Sequence, residues 1–276
     1  MELHFRNIDY VTPPGSLTDR LSHPYYGESS SVEVSLFHDH RYAFFFWNKW
    51  TQDLRKKDRK FAPPGLVTID WHQDLMWPNE TEKGWLDGLD LLNNRDVSLY
   101  AWANLTSIND GQIMAAAYLN LIGNIYIHCR QGRFDSHWED EIFIDKYSNK
   151  HLIKKFKEYD DLERYLSMST ENKIYFDIDL DFFTLDNPLN GVGKNFTYLT
   201  NKQITEMLKP NRPLISWIFE RMKGFTIAIE PEHTGGLLKS NKILGLIDSI
   251  YFKPGLFSNY AWQWNKQTNW KHLENK

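Results

Sequence analysis

The sequence predicts an α/β protein with three α/β/α layers around a doubly wound, mostly parallel sheet. Short runs of apolar, β-branched or aromatic residues recur along the chain, and segments with helical spacing lie between them. Strands that alternate with helices favour a parallel sheet covered by helices on both faces. Because ligands bind at the carboxyl ends of the strands in such sheets, those ends are the first place to look for a functional site.

The predicted strands and helices follow from the composition of each segment and from the residues that begin or end it. Six runs have the composition of buried strands: VEVSLF (32–37), LVTID (66–70), VSLYAW (97–102), NIYIHC (124–129), KIYFDID (173–179) and FTIAIE (225–230). Helices are predicted within 109–123, 150–169, 200–209 and 211–224, the last with an early proline and Gly224 as its stop. The segment 184–199 is rich in Asn, Gly and Pro, which predicts an ordered loop leaving a strand end.

Length and charge narrow the class of protein. The 276 residues fit one large domain, 1–276, because no break in composition divides the chain. The formal net charge is −4, and the basic residues are scattered apart from RKKDRK at 55–60. Such a run is typical of a solvated loop, so we expect no nucleic-acid partner.

Cysteine usage and hydropathy indicate the compartment. Cys129 is the single cysteine and cannot form an internal disulfide, which fits a reducing cytoplasm. The opening residues are polar and mixed, unlike a signal segment. The apolar stretches fall short of the roughly 20 residues that a spanning helix needs. We therefore expect a cytoplasmic protein with no membrane contact.

Four predicted strands end in acids or histidines. The groups are His38, Asp39 and His40; Asp70, His72 and Asp74; Asp177, Asp179 and Asp181; and Glu230, Glu232 and His233. In a parallel sheet these ends share one edge, so the side chains should converge. Converging carboxylates repel each other and resist desolvation, and they need a compensating positive charge.

This mixture of side chains predicts that divalent metal ions supply the compensating positive charge. Imidazole with an excess of carboxylate and no sulfur suits manganese, iron or zinc in five- or six-coordinate sites, unlike a structural cysteine-bound zinc. Four aspartates and two histidines exceed what one ion uses, so two ions are predicted. A lone Asp-x-His is common outside metal sites, and Asp-x-Asp at a strand end also serves nucleotide-sugar transferases and phosphatases. The combination of these pieces on separate strand ends favours the metal site.

Three of these segments resemble the ureohydrolase superfamily of arginases and agmatinases. HDHR stands for its first metal motif, DWHQD for the second and DIDLDFFTLDNP for the third, and NGVGKNFTYLTNKQITEML fits the outline of its next loop and helix. HDHRYAFFFW, IDWHQDLMWP and DIDLDFFTLDNP further resemble the peptide arginases of ribosomal peptide biosynthesis. The resemblance spans residues 38–236 and implies an arginase-like fold.

The resemblance implies two Mn2+ per chain and a set of ligands. The first ion would be held by His40, Asp70, Asp74 and Asp179, and the second by Asp70, His72, Asp179 and Asp181. Such a pair lowers the pKa of a shared water, so that hydroxide can attack the guanidinium carbon near neutral pH.

The same resemblance implies roles in proton transfer and substrate binding. Asp74 would shuttle the proton of the attacking water. Glu230 would pair with the guanidinium, with Glu232 as a rival for that role.

The sequence also departs from the family pattern. Asp177 stands where the family has a serine, Asp186 and Pro188 replace the adjacent Asp-Pro, and the first glycine pair is absent. The histidine that follows the second motif in arginases, and protonates the leaving amine, has no counterpart between Asp74 and His128. His128, His137 and His233 are the open candidates for that role.

The expected substrate is an arginine side chain within a precursor peptide. The segment that would grip a free amino acid is LMWPNETEKGWLDGLD, which is rich in acids and contains Trp77 and Trp85. We expect these tryptophans and His233 to contact the peptide, and the products to be ornithine and urea. Assembly into a homo-oligomer stays open.

Other classes of protein remain as alternatives. A zinc-dependent deacylase of the same fold would use an adjacent His-His pair, which this sequence lacks. Phosphoryl transfer could use DIDLD as a nucleophile but needs lysine and threonine partners that the sequence does not present convincingly. A non-catalytic relative would only hold a peptide. Two equivalents of manganese would indicate the hydrolase, one of zinc the deacylase and none a binding role; iron in place of manganese stays open.

Overall fold

A mixed sheet of eight strands is the centre of the fold in the computed structural model, which describes residues 11–58, 61–131, 138–187, 192–258 and 268–273. The strands, in chain order, are β1 (Leu17–His23), β2 (Gly27–Phe37), β3 (Gly65–Asp70), β4 (Ile125–Cys129), β5 (Glu141–Ile144), β6 (Lys150–Phe156), β7 (Ile174–Asp179), β8 (Thr184–Asn187), β9 (Val192–Tyr198), β10 (Met222–Ala228), β11 (Phe252–Lys253) and β12 (Asn269–Trp270).

The order of strands across the sheet is β1-β2-β10-β7-β3-β4-β6-β5. The six central strands run parallel, and β1 and β5 close the two edges in antiparallel pairing. The pairs β8–β9 and β11–β12 form two small separate sheets. The prediction of a mostly parallel α/β sheet is confirmed.

Helices cover both faces of the sheet. They are α1 (Ala43–Lys57), α2 (Glu80–Gly88), α3 (Asn94–Ala103), α4 (Gln112–Tyr118), α5 (Tyr159–Ser167), α6 (Asn201–Leu208), α7 (Pro213–Arg221), α8 (Pro231–Thr234) and α9 (Leu237–Tyr251). Two hydrophobic cores result, one under α1 to α4 and the other under α5, α6, α7 and α9. Within the described ranges, none of these helices is long and apolar enough to cross a bilayer.

Alternation along the strands decides which core a side chain enters. On β3, Leu66 packs into the α1–α4 core, whereas Val67 and Ile69 pack into the α5–α9 core. Thr68 and Asp70 therefore lie on the α1–α4 side. This alternation places the site described below.

The segment VSLYAW at 97–102 is a helix and not the predicted strand. It lies within α3, which begins after Asn93, whose side chain accepts hydrogen bonds from two backbone amides of the first turn. Val97, Ser98, Tyr100 and Ala101 are buried, which is helical and not alternating spacing. The β-branched and aromatic content misled the prediction because burial periodicity outweighs intrinsic propensity.

Two other segments also differ from the prediction. The first part of 150–169 is the strand β6, whose burial alternates, and only its second part is the helix α5. The predicted loop at 184–199 contains the antiparallel pair β8 and β9. On β6, the lysines Lys150 and Lys154 on the less buried side conceal the period of two.

Candidate metal centre

Four adjacent parallel strands bring the predicted site residues to one edge of the sheet. Asp70 and Asp179 are the last residues of β3 and β7, and His40 begins a short 3-10 turn after β2. Glu230 follows β10, which lies between β2 and β7. The convergence therefore follows from strand order and the shared direction of these strands.

His40 lies at the centre of the first group of ligands. Its Nδ1 is 2.9 Å from Asp74 Oδ2 and 3.3 Å from both Asp70 Oδ2 and Asp179 Oδ2. All four side chains are buried. One imidazole nitrogen thus faces three carboxylate oxygens, which is the grouping expected around a first ion.

His72 and Asp181 form a second group beside the first. His72 Nδ1 lies 3.0 Å from Asp181 Oδ2 and 3.9 Å from Asp70 Oδ1. Asp70 is thus shared between the two groups. A further grouping within ligand distance joins His72, Asp181 and His233, and another joins Asp179, Asp181 and Glu230.

Backbone amides orient the carboxylates. His72 N donates to Asp70 Oδ1 at 2.7 Å, and Asp181 N donates to Asp179 Oδ1 at 3.0 Å. Trp71 N donates to Asp181 Oδ1 at 3.1 Å. Each carboxylate therefore has one oxygen fixed by the chain, while its other oxygen faces a histidine.

Asp74 and Glu230 occupy left-handed backbone conformations, with φ of 52° and 29° respectively. Gln112 Nε2 donates to Asp74 Oδ2 at 2.5 Å. Glu230 Oε1 accepts from His40 N at 3.0 Å and from Asn109 Nδ2 at 2.6 Å. Left-handed conformations of non-glycine residues cluster at functional sites, where surrounding contacts maintain them.

Burial sets the electrostatics of this edge. Desolvation raises the pKa of Asp70, Asp179 and Glu230 well above the ordinary range, and neighbouring carboxylates raise it further. For His40, burial lowers the pKa, but Asp177 and the surrounding carboxylates raise it more, so that the net direction is upward. The protein alone therefore concentrates negative charge here that it does not neutralise.

These residues fit a pair of divalent ions. Among the described residues, buried Asp70 Oδ2, Asp181 Oδ2 and His40 Nδ1 lie 2.9–3.3 Å from an imidazole or carboxylate partner without the geometry of a hydrogen bond. Unsatisfied buried oxygens are costly unless a cation is present. Two imidazoles with mainly carboxylate oxygens are the donors that manganese or iron accepts.

A cavity of about 740 Å3 opens onto this edge. His72, Asp74, Glu230 and His233 line it together with Trp77. The His72 and His233 rings meet edge to face with centroids 5.5 Å apart. Two of the predicted metal ligands, His72 and Asp74, therefore share this cavity with the predicted substrate residues Trp77, Glu230 and His233.

The structure does not bring His128 to this cavity, which corrects the expectation of a role there. Its neighbour Cys129 pairs with Asp70 across β3 and β4, and His128 is one residue earlier, so it faces the opposite side of the sheet. Its Nδ1 is bonded to the Phe156 carbonyl at 3.0 Å, and its ring contacts Phe182. His137, another candidate, lies outside the described residues.

Two predicted substrate residues are also placed elsewhere. Glu232 is exposed on α8, while Glu230 is buried within ligand distance of Asp179 and Asp181 and lines the cavity. Trp85 lies on α2 with 47% of its surface exposed. Neither residue is among the described residues that line the cavity.

Sequence reasoning did not identify Asn109, Asp110 and Gln112. They lie at the start of α4 or just before it, and they line the cavity or hydrogen-bond the acids there. The bond from Asn109 joins it to a residue 121 positions away. No sequence periodicity marks such a pairing, because only the tertiary fold creates it.

Comparisons with known proteins add weak similarities of fold. No family model matches the sequence, and no curated protein matches it. Proclavaminate amidino hydrolase from Streptomyces clavuligerus is 12% identical with a TM-score of 0.36, over 71% of this chain and 54% of that one. The chain thus spans about half the length of that protein. Helicobacter pylori arginase is 14% identical with a TM-score of 0.39, over 77% of this chain and 70% of that one.

Proposed function

We propose that this chain is a metal-dependent hydrolase that cleaves an amidine C–N bond, converting arginine side chains in a peptide to ornithine and urea. The observation that carries this proposal is the pair of histidine and carboxylate groups beside the buried Glu230 in one cavity. A dinuclear centre next to a buried carboxylate combines activation of water with recognition of a cation.

Two manganese ions would be held by the six ligands that converge at the sheet edge. His40, Asp74, Asp70 and Asp179 would hold the first, and His72 and Asp181 would complete the second with the shared aspartates. When bound, such a pair supplies positive charge that makes water a nucleophile near neutral pH. The buried carboxylates then have the cations that they otherwise lack.

Glu230 would bind the guanidinium of the substrate. Its Oε1 accepts hydrogen bonds from His40 N and Asn109 Nδ2, which are the side-chain bonds of Glu230 within the described ranges. Asn109 Oδ1 and Asp110 Oδ1 are buried acceptors of cavity-lining residues, and neither has a hydrogen-bond partner among the described residues. A planar cation with several N–H donors matches this set of acceptors.

Proton transfer would fall to Asp74 and His233. Asp74 Oδ2, held by Gln112, would accept the proton from the attacking water. His233 lines the same cavity and would protonate the leaving nitrogen, because His128 faces the other side of the sheet. Addition of one water across the C–N bond gives urea and the free amine of ornithine.

A peptide is supported as the substrate by the outer part of the cavity. Met76, Trp77 and Ile108 line it and are 54%, 47% and 67% exposed. Asp110 lies in the same lining, as does Glu141, which forms an ion pair with Lys155. Apolar surface with acidic groups suits an extended, arginine-containing chain better than a small zwitterion.

Incubation of the manganese-loaded protein with an arginine-containing peptide tests the proposal. Mass spectrometry should show ornithine by the loss of one cyanamide unit, and urea should appear in equal amount. Asp70→Asn should abolish conversion, whereas Glu232→Gln, a change at an exposed acid beside the site, should not. Turnover of free arginine alone would refute the peptide substrate, and equal conversion by Asp70→Asn would refute the site.

A further inference from the structure

Asp177 is a buried carboxylate that the proposed reaction does not use directly. It lies on β7, two residues before Asp179, and its relative exposure is 0%. Its register partners are Thr68 on β3 and Thr226 on β10. The three side chains form a polar row across three central strands of the sheet.

The hydrogen bonds of this row converge on Asp177. Thr226 Oγ1 donates to Asp177 Oδ1 at 2.5 Å, and Thr68 Oγ1 donates to Oδ2 at 2.7 Å. His40 Nε2 also lies 2.8 Å from Oδ2. Both threonine hydroxyls donate to this carboxylate, and the same geometry makes His40 Nε2 the donor of the third hydrogen bond to it. Nδ1 is then the ring nitrogen left to bind a metal ion, and it faces Asp70, Asp74 and Asp179.

Packing alone gives no reason for this row. Leu66, Tyr175 and Ala228, two residues before or after its members on the same strands, belong to the hydrophobic core on that side. Apolar residues of similar volume would fill the same space without the cost of burying a carboxylate. Packing of the core therefore does not account for the polar row of Thr68, Asp177 and Thr226.

We propose that Asp177 is a positioning residue for the first metal ion, acting through His40. It fixes the ring orientation and the Nε2–H tautomer, and its negative charge makes Nδ1 a stronger donor to the metal. Thr68 and Thr226 hold the carboxylate in turn. The inference rests on the metal-binding part of the proposed function, and it is independent of the substrate.

Titration with manganese alone tests this role without any substrate. Asp177→Asn keeps the shape of the side chain but removes its charge, and we expect the first ion to bind about 10- to 100-fold more weakly. The second ion, whose histidine is His72, should bind within about two-fold of the wild type. Tyr175→Phe is the matched control. Tyr175 lies on β7 like Asp177, and the change removes a buried hydroxyl that is hydrogen-bonded to Thr51 of α1, so both affinities should stay unchanged.

The outcomes separate this inference from the proposed function. Equal affinity of a folded Asp177→Asn variant and the wild type for the first ion would overturn the role of Asp177. If the wild type binds two ions but hydrolyses no arginine peptide, the proposed substrate fails and the role of Asp177 stands. If the wild type binds no manganese, both fail.

A measurement on the wild type covers the case in which the variant does not fold. With zinc, which is diamagnetic, 15N-resolved NMR of the His40 ring should show a proton on Nε2 shifted downfield by its carboxylate partner. A proton on Nδ1 instead, with Nε2 bound to zinc, would overturn the proposal.

Discussion

Two cavities at the carboxyl edge of the sheet lie beside histidines whose surroundings differ. At the first cavity, which half-buried His72 lines with buried His40 behind it, both rings lie among carboxylates, and their pKa is raised despite burial. The second cavity, of about 340 Å3, is lined by His128 together with basic and acidic residues: Arg130, Lys157, Arg212, Glu158 and Glu206. Burial, with a smaller contribution from Arg130, lowers the pKa of His128 to about 4.

The difference arises from a shift of one residue along a strand. Asp70 on β3 pairs with Cys129 on β4, and His128, one position before it, points to the other face of the sheet. Both faces are covered by helices, but in the part of the chain that the structure describes the acids at the ends of β3, β7 and β10 converge with His40 on the α1–α4 side. A histidine at a strand end therefore predicts a metal ligand only when its face is also known.

The largest effect should follow from Asp179→Asn, which removes a carboxylate common to both proposed ions. We expect hydrolysis of an arginine peptide to fall at least about 1,000-fold, because a shared ligand of the dinuclear centre is lost. Initial rates of urea release measure this. His128→Asn, whose amide can replace Nδ1 in the bond to Phe156, should stay within about three-fold of the wild type. A large loss of hydrolysis in His128→Asn but not in Asp179→Asn would show that the reaction depends on the second cavity and not on the first.

Glu230→Gln should lower kcat/KM about 100-fold. The amide oxygen can still accept from His40 N and Asn109, but the negative charge opposite the guanidinium is gone, and a charge-assisted hydrogen bond contributes about 1.5–3 kcal/mol. Manganese content should stay at two equivalents. An unchanged kcat/KM would show that another acid binds the substrate.

Manganese should stabilise the folded chain. At 100 times the dissociation constant, a bound ion adds about 2.7 kcal/mol, or about 5–10 °C in Tm for a chain of this size. Thermal melts with and without chelator measure the shift. It should shrink in Asp181→Asn and persist in His128→Asn, whereas equal shifts in both variants would indicate binding away from the predicted ligands.

The smallest effect concerns the pH dependence of stability at His128. Its folded pKa of about 4 lies below the ordinary 6.5, so the unfolded chain binds the proton first as pH falls. Stability from this residue is therefore present above pH 6.5, and about 2 kcal/mol of it is lost between pH 7 and pH 5. Urea denaturation at both pH values should show that the free energy of unfolding falls by about 2 kcal/mol more in the wild type than in His128→Asn between pH 7 and pH 5. Equal falls in the two proteins would show that other residues cause the acid sensitivity.

The strands that carry the metal ligands could be predicted because they are buried on both faces. The runs at 66–70 and 173–179 are apolar up to the first acid, and the structure has β3 and β7 there. Strand order then brings their ends together, so the convergence of the acids and histidines follows from pattern and parallel topology. The assignment of six of them as metal ligands came from the resemblance to the ureohydrolases and stays a prediction. The prediction of a strand at 97–102 was wrong because the β-branched and aromatic residues there suit a buried helix face equally well.

The remainder of the site was not visible in the sequence for geometric reasons. Gln112 and Asn109 reach the acids only because α4 packs beside the sheet edge, and the role of Asp177 depends on its register with Thr68 and Thr226. Whether Trp85 or Trp77 faces the cavity depends on where α2 begins, at Glu80 after its Asn79 cap. Such facts depend on tertiary placement rather than on local pattern.

The left-handed backbone at Asp74 and Glu230 has a consequence for engineering. Glycine adopts these angles without steric strain, so Asp74→Gly or Glu230→Gly would remove about 1 kcal/mol or more of backbone strain at each position, against the greater chain entropy that glycine loses on folding. With manganese present, Asp74→Gly would also remove a proposed ligand and its contribution to stability. A directed-evolution screen for heat resistance should therefore include manganese and score turnover as well.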